Sequence, residues 1–599
     1  MPQQSPRFPT PNSNTVNLNP PAHASSSPSS PTNPTWAYGS GTQVEGTANS
    51  IESSPVKGTE EPPVYTVPER SSRSALRSVG IVAACTSSMM MNVRRTPNAS
   101  AFPAIALPSI GQDLGVVQAD LQWVLNAYAI SSACFLLLSG RLADLYGRKR
   151  MWLAGYLFIS AFGLGYGTTL FVLRGFQGLG GATVIPASLG ILAHSFPPSP
   201  ARSAAFATFA AGAPLGGVIA FFAGAPLVQL TAPAWRSLFY VMAGMSALGL
   251  MLGLICIGAD PPSTEEDRRV DWPGAFLVTA GLVLIVFVLS ASPTAPRGWQ
   301  TGYIIALFVV GGCLVIGFFF WQYYLERVQS NPDKPRVWWT PPPILKPTMW
   351  TRARGRFTVM QIIAAVNWAA FSCWIVWVQL YYQNFLQLTP VLSMVRIVPI
   401  SIVGVLANIV ITLIIGRVDV QYIVTFGTLF TGIAVLLFAI IDPARSYWAY
   451  GFPSAIIIVL GADFVFASGT LFVAKVTPPH EQSVAGAVFQ AMTLLGTAIG
   501  LSISTIVFNG VQASASRKDG VVLDPTAGNA PKDAQLRGYH AAFWTGFAFS
   551  MLCVTLSVFL RGIGVVGHPP DSAKRQNEQL PKKQDGEQPT AVPIEAFEA

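Results

Sequence analysis

The chain has 599 residues, of which 51% are hydrophobic and only 11% are charged, and its mean hydropathy is +0.45. Because ordinary soluble domains carry about 25% charged residues, this composition excludes a soluble globular protein and predicts a chain that lies mostly within a lipid bilayer. The net charge of +9 would favour a nucleic-acid partner in a soluble protein, but here the basic residues lie in tails and loops. The charge therefore indicates membrane topology, and no nucleic-acid partner is expected.

Both ends of the chain are polar. Residues 1–74 are rich in Ser, Pro, Thr and Asn and contain no apolar run, so they do not have the apolar core of a signal peptide. Residues 563–599 are also polar. We expect both segments to be disordered cytosolic tails.

Between the tails, apolar runs of about the 20 residues that a spanning helix needs follow one another along the chain. A window of about 19 residues predicts fourteen transmembrane helices. Their predicted bounds are 78–110, 121–142, 151–168, 169–195, 204–229, 237–258, 273–291, 302–324, 358–382, 390–416, 420–441, 449–475, 482–510 and 540–560.

The distribution of basic residues predicts the orientation. An even number of spans places both termini on the same side of the membrane. If that side is the cytosol, 26 Lys and Arg residues fall in cytosolic tails and loops and 7 in extracellular segments. Because cytosolic loops carry the excess of Lys and Arg, both termini are expected in the cytosol.

The first span is irregular. Its apolar run is interrupted at residues 92–97, which include Arg94 and Arg95, and arginines near mid-membrane are costly unless they are paired or snorkelling. The interruption is either a genuine re-entrant break or an error in the predicted reading frame. A glycosylation sequon at Asn98 lies in the same region and is a weak signal.

The most specific motif follows the second span, at residues 140–150, with the sequence Gly-Arg-Leu-Ala-Asp-Leu-Tyr-Gly-Arg-Lys-Arg. Glycines allow a tight turn and close helix approach, and an acid can pair with a cation or a helix N-terminus. An isolated Asp and Arg would only mark a cytosolic loop. The whole pattern between two apolar spans favours a functional loop.

This pattern resembles the cytosolic signature loop of the major facilitator superfamily, and the resemblance extends over residues 75–565. It implies an all-α integral membrane protein with the major facilitator fold. In that family the loop holds the two halves of a transporter together, which implies a gating role here. The candidate gating residues are Gly140, Asp144, Gly147, Arg148 and Lys149.

Two further spans resemble family signatures. In the fourth span, Arg174 stands where the family has an arginine implicated in proton coupling; the alternative is an arginine that fixes helix packing. The fifth span has small residues at intervals of four, which allow close helix packing. It resembles the antiporter signature, although Ala220 and Ala225 stand where the family usually has glycine, so generic packing is the alternative. The helix-packing ridge consists of Gly212, Gly216 and Gly224.

Two additional spans indicate a branch of the superfamily. Residues 271–275 and 297–299 resemble the fourteen-helix drug:proton antiporter branch. The tail rich in Ser and Pro and the first apolar stretch resemble those of its fungal members. That branch has two helices inserted between two six-helix bundles. The expected domains are a tail (1–74), an N-terminal six-helix bundle (75–258), the two inserted helices (259–325), a cytosolic linker (326–357), a C-terminal six-helix bundle (358–562) and a second tail (563–599).

Asp463 is the only acid clearly inside a span of the second half. Because burial disfavours the charged form of a carboxyl group, Asp463 is the candidate proton carrier. Arg174 is its possible electrostatic counterpart if the fold brings the two together, and a purely structural carboxyl is the alternative. Many family exporters also have an acid in the first span, where this chain offers only Asn92.

The ninth span combines aromatic and polar side chains. A cavity with aromatic walls and a few polar groups suits bulky, amphipathic or cationic ligands, although Trp and Tyr are also enriched at membrane interfaces. The candidate cavity residues in this and later spans are Asn367, Trp374, Gln379, Tyr382, Asn408 and Gln490.

Together these features predict a secondary active transporter that exports drugs, toxins or small amphipathic metabolites by alternating access. The proton gradient would be its energy source, without a cofactor. Proton-coupled uptake, for example of a siderophore, is the alternative, and a non-transporting sensor is less favoured. No enzyme activity or metal site is expected, since the five histidines are scattered. We expect a monomer in the plasma membrane, or alternatively the vacuolar membrane, whose partners are a small-molecule substrate, protons and the lipid bilayer.

Overall fold

The computed structural model describes residues 75–92, 113, 123–163, 169–197, 199–231, 233, 235–260, 267–292, 295, 298–331, 337–522 and 529–565. The predicted tails, up to residue 74 and from residue 566, lie outside the described residues. So do residues 93–100, which hold most of the interruption in the first span and the sequon.

In the first half of the chain and the inserted pair, apolar runs form helices. These helices are α1 (Ala75–Asn92), α2 (Trp123–Cys134), α3 (Leu136–Tyr146), α4 (Arg148–Gly163), α5 (Leu170–Ser195), α6 (Pro200–Leu230), α7 (Trp235–Cys256), α8 (Trp272–Ala291) and α9 (Gly302–Gln329).

The second half continues in the same way. Its helices are α10 (Arg356–Leu380), α11 (Pro390–Ile414), α12 (Val420–Ala439), α13 (Tyr447–Val476), α14 (Gln482–Lys518) and α15 (Lys532–Ser557). A single helical turn, Thr348–Thr351, precedes α10, and a π-helical turn, Tyr381–Phe385, follows it.

The helices match the predicted spans. Within the described residues, ten stretches are long and apolar enough to cross a bilayer. They correspond to the predicted spans four and six to fourteen, and α1, α2 with α3, α4 and α6 overlap the other four. The all-α architecture is confirmed, and the helix positions are consistent with fourteen spans.

The signature motif is more helical than the sequence predicts. Instead of a loop after the second span, residues 140–146 belong to α3 and residues 148–150 begin α4. Only Gly147 separates the two helices, and its φ of +108° is in the region that favours glycine. The second span is itself interrupted at Phe135.

The inserted helices are held together by a buried acid. The carboxylate of Asp271 is the N-cap of α8 and accepts the N–H of Gly274 at 2.8 Å. It also accepts the indole N–H of Trp321 at 2.8 Å and the amide of Gln322 at 2.6 Å, both on α9. Because Asp271 is 1% exposed, these donors replace the water that it would otherwise bind.

The two halves contact each other through small residues. On α11, a Cβ built at Gly404 would lie 2.7 Å from the Cβ of Pro214 on α6. On α6, a Cβ at Gly217 would lie 3.2 Å from the Oγ of Ser401 on α11. The backbones of α6 and α11 therefore approach closely, and this contact joins the first half to the second.

A glycine on α14 sets the distance between two helices of the second half. A Cβ added at Gly500 would lie 2.6 Å from the Cα of Ala369 on α10. We therefore expect Gly500→Leu to lower the free energy of unfolding by about 1–3 kcal/mol through overpacking. Thermal unfolding of the purified protein in detergent measures this effect.

The matched control is Gly510→Leu on the same helix, where an added Cβ meets no atom within 4 Å. Equal losses of stability in the two variants would contradict the close contact at Gly500.

Candidate functional site

Asp144 lies in the last turn of α3 and contacts the first turn of α14 in the opposite half. Its Oδ2 accepts the N–H of Val484 at 3.1 Å, and its Oδ1 accepts the N–H of Ser483 at 3.4 Å. These N–H groups have no partner within their own helix, and they form the positive end of its dipole. The side chain of Asp144 is 1% exposed, so water screens this attraction weakly.

Arg148 completes the contact from the start of α4. Its Nη2 lies 3.0 Å from Oδ1 of Asp144, and its Nη1 donates to the carbonyl of Gly190 on α5 at 3.1 Å. Its Nε donates to Oγ of Ser483 at 3.2 Å, and Nη2 also donates to the carbonyl of Pro479. We call Asp144, Arg148 and the first turn of α14 the gate, because they tie the first half to the second.

Gly140 allows α3 to approach α14 at the gate. A Cβ at this position would lie 2.9 Å from the Cβ of Ala487 and 3.0 Å from the carbonyl oxygen of Ser483. Any larger residue would push the helices apart and lengthen the contact between Asp144 and α14. This geometry accounts for the first glycine of the motif.

The other end of the motif is anchored within the first half. Asp260 lies beside Gly147 and accepts the backbone N–H of Lys149 at 2.8 Å. The ammonium of Lys149 donates to the carbonyl of Ile257, after the end of α7, at 2.6 Å. These bonds fix the start of α4, and therefore the position of Arg148.

Mostly apolar residues fill the space behind the gate. They leave a cavity of about 10 Å³, which is at the lower limit for one water molecule. The residues that line this cavity come from both halves: Leu189, Ala193, Phe206, Thr470, Val473, Ala474, Gln482, Gly486 and Phe489. The gate is therefore closed in this structure.

Glu481, which belongs to no sequence motif, holds the start of α14 from its own half. Its carboxylate lies 2.7 Å from Nζ of Lys346 and 2.5 Å from Nη2 of Arg352. Both cations belong to the connection between α9 and α10, far from Glu481 in sequence, so no local pattern could have indicated the pairing. The connection is thereby anchored next to the gate.

The structure pairs two residues that the sequence placed in separate roles. Asp463 on α13, the proton-carrier candidate, accepts Nδ2 of Asn408 on α11 at 2.8 Å. Nδ2 also donates to the carbonyl of Gly404 at 2.8 Å. Asp463 is 8% exposed and Asn408 is 3% exposed. Oδ1 of Asn408 is buried without a hydrogen-bond partner in the described part of the chain.

This pair lies one helical turn from the contact between the halves. Gly404, whose carbonyl accepts Asn408, is the residue that packs on Pro214 of α6. The helix that resembles the antiporter signature therefore contacts the helix that carries the partner of Asp463. A structural change at the carboxyl group of Asp463 would therefore occur close to the interface between the halves.

The packing ridge on α6 contacts two different helices. Gly212 approaches α1, because a Cβ there would lie 2.7 Å from the carbonyl oxygen of Thr86. Gly216 is half-buried, and its neighbour Gly217 makes the contact with α11. Gly224 lies within α6, but its surroundings are outside what the structure describes.

Arg174 contacts its own half. Its Nη1 donates to Oε1 of Gln177 at 3.1 Å, and its guanidinium lies 4.9 Å from the ring centre of Phe239 on α7. The first contact lies within α5, and the second joins α5 to α7. Neither of the two contacts involves Asp463, and a coupling role for Arg174 stays a prediction.

The aromatic cavity candidates lie in the core of the second half. Trp374 donates its indole N–H to Oγ of Ser454 at 2.6 Å, and the ring centre of Tyr382 lies 5.2 Å from the guanidinium of Arg396. Gln379 is half-buried. Their role in binding stays a prediction.

Besides Asn408, further amide side chains are buried without full hydrogen bonding among the described residues. Asn367 and Gln361 are both 0% exposed, and neither side-chain N nor O atom has a partner among the described residues. Nε2 of Gln490 is in the same situation. Buried amides are unfavourable unless they are hydrogen-bonded, so these positions fit a site where a ligand or water supplies the partners.

Two helical halves that contact each other at the gate, with a buried carboxyl group near their interface, are compatible with a membrane transporter. The family model of the Major Facilitator Superfamily matches residues 80–271 and 294–501. These segments cover more than half of the chain, so the protein belongs to the Major Facilitator Superfamily. It is a transporter and not an enzyme.

Known proteins of this kind are similar over most of their length. MFS-type transporter 1 of Pyricularia oryzae is 25% identical over 592 residues, which cover 90% of this chain and 89% of that protein. Efflux pump terJ of Aspergillus terreus is 26% identical over 76% of this chain and 83% of its own. The human organic anion transporter MFSD10 (TETRAN) has a TM-score of 0.53 at 14% identity over 80% of this chain and 99% of its own, which confirms the major facilitator fold.

The gate can be tested by the accessibility of α14. Asp144→Asn removes the charge that holds the N-terminus of this helix, so we expect a cysteine introduced at Val484, 1% exposed, to react with a maleimide about tenfold faster. The two more accessible native cysteines, Cys256 and Cys313, are replaced by alanine in all samples.

The control is Asp533→Asn, which removes an exposed acid in the first turn of α15. Equal labelling rates in the parent and in Asp144→Asn would contradict the gate.

Proposed function

We propose that this protein is a proton-coupled exporter of drugs, toxins or small amphipathic metabolites that works by alternating access between its two halves. The observation that carries the proposal is the buried pair of Asp463 and Asn408 beside the contact between α6 and α11. Membership of the superfamily and the likeness to an efflux pump support transport out of the cytosol.

The hydrogen bonds of Asn408 link proton binding to helix packing. Oδ2 of Asp463 accepts Nδ2 of Asn408, which an ionised carboxyl group can do with either oxygen. A protonated carboxyl group instead offers a hydroxyl donor, and the nearby Oδ1 of Asn408 is a buried acceptor that no described residue uses. Turning the amide to accept this donor would break the bond from Nδ2 to Gly404, at the interface with Pro214. Proton binding would thereby favour a different arrangement of the halves.

The expected topology supports the proposed direction of transport. The excess of Lys and Arg in tails and alternate loops places the gate and both termini in the cytosol. The closed gate then shuts the cytosolic side, and opening it would admit substrate from the cytosol. The energy source is the proton gradient, without a cofactor, and the protein acts as a monomer in the plasma membrane, with the vacuolar membrane as the alternative.

Side chains of the second half support the proposed substrate class. Buried amides at Asn367 and Gln490 lie on helices that also carry Trp368 and Phe489, whose rings both contact Phe466. Such a mixture of aromatic faces and a few hydrogen-bonding groups suits bulky amphipathic molecules. Partners are therefore a small organic substrate, protons and the surrounding lipid.

We expect Asp463→Asn to reduce uncoupler-sensitive efflux of ethidium and rhodamine 6G at least about tenfold, because the variant cannot exchange a proton at this position. Efflux is measured in cells without their own pumps, with membrane insertion checked by surface labelling.

Asp442→Asn is the matched control, since this acid is 51% exposed in a connection. Full efflux by Asp463→Asn would exclude Asp463 as the proton carrier. Faster dye entry in cells that express the protein would instead favour the uptake alternative.

A further inference from the structure

Arg202 forms a second contact between the halves, in a segment that matches no signature. It lies in the first turn of α6 and is 6% exposed. Its Nη2 donates to the carbonyl of Ala474, in the last turn of α13, at 3.0 Å. Nε2 of Gln482 donates to the same oxygen at 3.4 Å. The last carbonyls of a helix have no partner within the helix. The guanidinium of Arg202, in the first half, therefore supplies a hydrogen-bond donor to a carbonyl at the end of α13, in the second half.

This contact and the gate hold the two helix ends that meet at one connection of the second half. Residues 477–481 join the C-terminus of α13 to the N-terminus of α14. Arg202 contacts the first of these helix ends and Asp144 contacts the other. A cation is favourable at a helix C-terminus and an anion at an N-terminus. Both charges therefore have the sign that the helix end favours, and both come from the first half.

The surroundings of Arg202 keep water out. Its guanidinium lies 5.9 Å from the ring centre of Phe206, and Phe206, Ala474 and Gln482 line the cavity of about 10 Å³ behind the gate. Charge-assisted hydrogen bonds are stronger when water is excluded. If the halves separate at this end, Arg202 and the carbonyl of Ala474 are both exposed to water, so the bond exists only in the closed state.

We infer that Arg202 is a positioning residue for gate closure, which holds the C-terminus of α13 while Asp144 holds the N-terminus of α14. A bond present in only one of two states shifts the equilibrium toward that state. Arg202 therefore favours the conformation with the gate closed, and its loss favours the conformation with the gate open. This inference rests on the alternating access of the proposed function.

The test measures the distance between spin labels by double electron–electron resonance on the full chain in nanodiscs. The labels are attached to cysteines that replace Tyr146, at the end of α3, and Lys475, in the last turn of α13; both positions are exposed. Cys256 and Cys313 are replaced by alanine. We expect one predominant short distance in the parent.

Arg202→Gln should increase the ratio of long to short distances about tenfold, and Asp144→Asn should have an effect of similar size. Arg202→Lys keeps the charge but has a single donor group, so it should give a smaller increase. The control Arg561→Gln removes an exposed cation after α15 and should leave the ratio unchanged.

Lower thermal stability of Arg202→Gln with an unchanged distance ratio would overturn the inference, because it would show a merely structural role. If Arg202→Gln does not fold, an unchanged ratio in Arg202→Lys overturns it instead. The measurement needs neither a substrate nor a proton gradient. If export is not detected, the proposed function fails but the distance result for Arg202 still stands. If export is detected and the distances do not change, the inference about Arg202 fails but the proposed function stands.

Discussion

The carboxylate of Asp144 against the first turn of α14 is the interaction on which the closed state depends. It places an anion at the positive end of a helix that belongs to the other half. The neighbouring residues serve this contact in different ways. Gly140 allows α3 to approach α14 closely. Arg148 pairs with the same carboxylate and donates hydrogen bonds to Gly190 and Ser483. The apolar residues behind them keep water away, which strengthens the attraction.

The same arrangement, a carboxylate that accepts a backbone N–H at the start of a helix, recurs elsewhere in the chain. Asp260 accepts the N–H of Lys149 at the start of α4, and Asp271 accepts the N–H of Gly274 in the first turn of α8. In a chain with only 11% charged residues, these acids are placed where they accept backbone N–H groups at the start of a helix. Asp463 differs, because it lies in the middle of α13 and its described partner is a neutral amide. This difference supports the proposal that Asp463 carries the proton.

Much of the fold could be predicted from the sequence, because a bilayer imposes a length and a composition on every span. The signature motif also identified Asp144 and Arg148. The pairing of Asp463 with Asn408 could not be predicted, since hydropathy does not give the rotation of a helix about its axis. Glu481 and Arg202 were missed for a related reason: their partners are distant in sequence, and one is a backbone carbonyl. The aromatic candidates stayed ambiguous because the same residue types fill cores, interfaces and cavities.

The most direct test of proton-coupled export uses the purified protein in liposomes that contain a pH-sensitive dye. An acidic lumen imposes a proton gradient, and ethidium or rhodamine 6G is added outside to protein inserted with its gate outward. Proton-coupled exchange predicts dye accumulation together with a substrate-dependent loss of protons from the lumen, both abolished by an uncoupler. Dye accumulation with no substrate-dependent proton movement, or with protons moving in the same direction as the dye, would contradict the account.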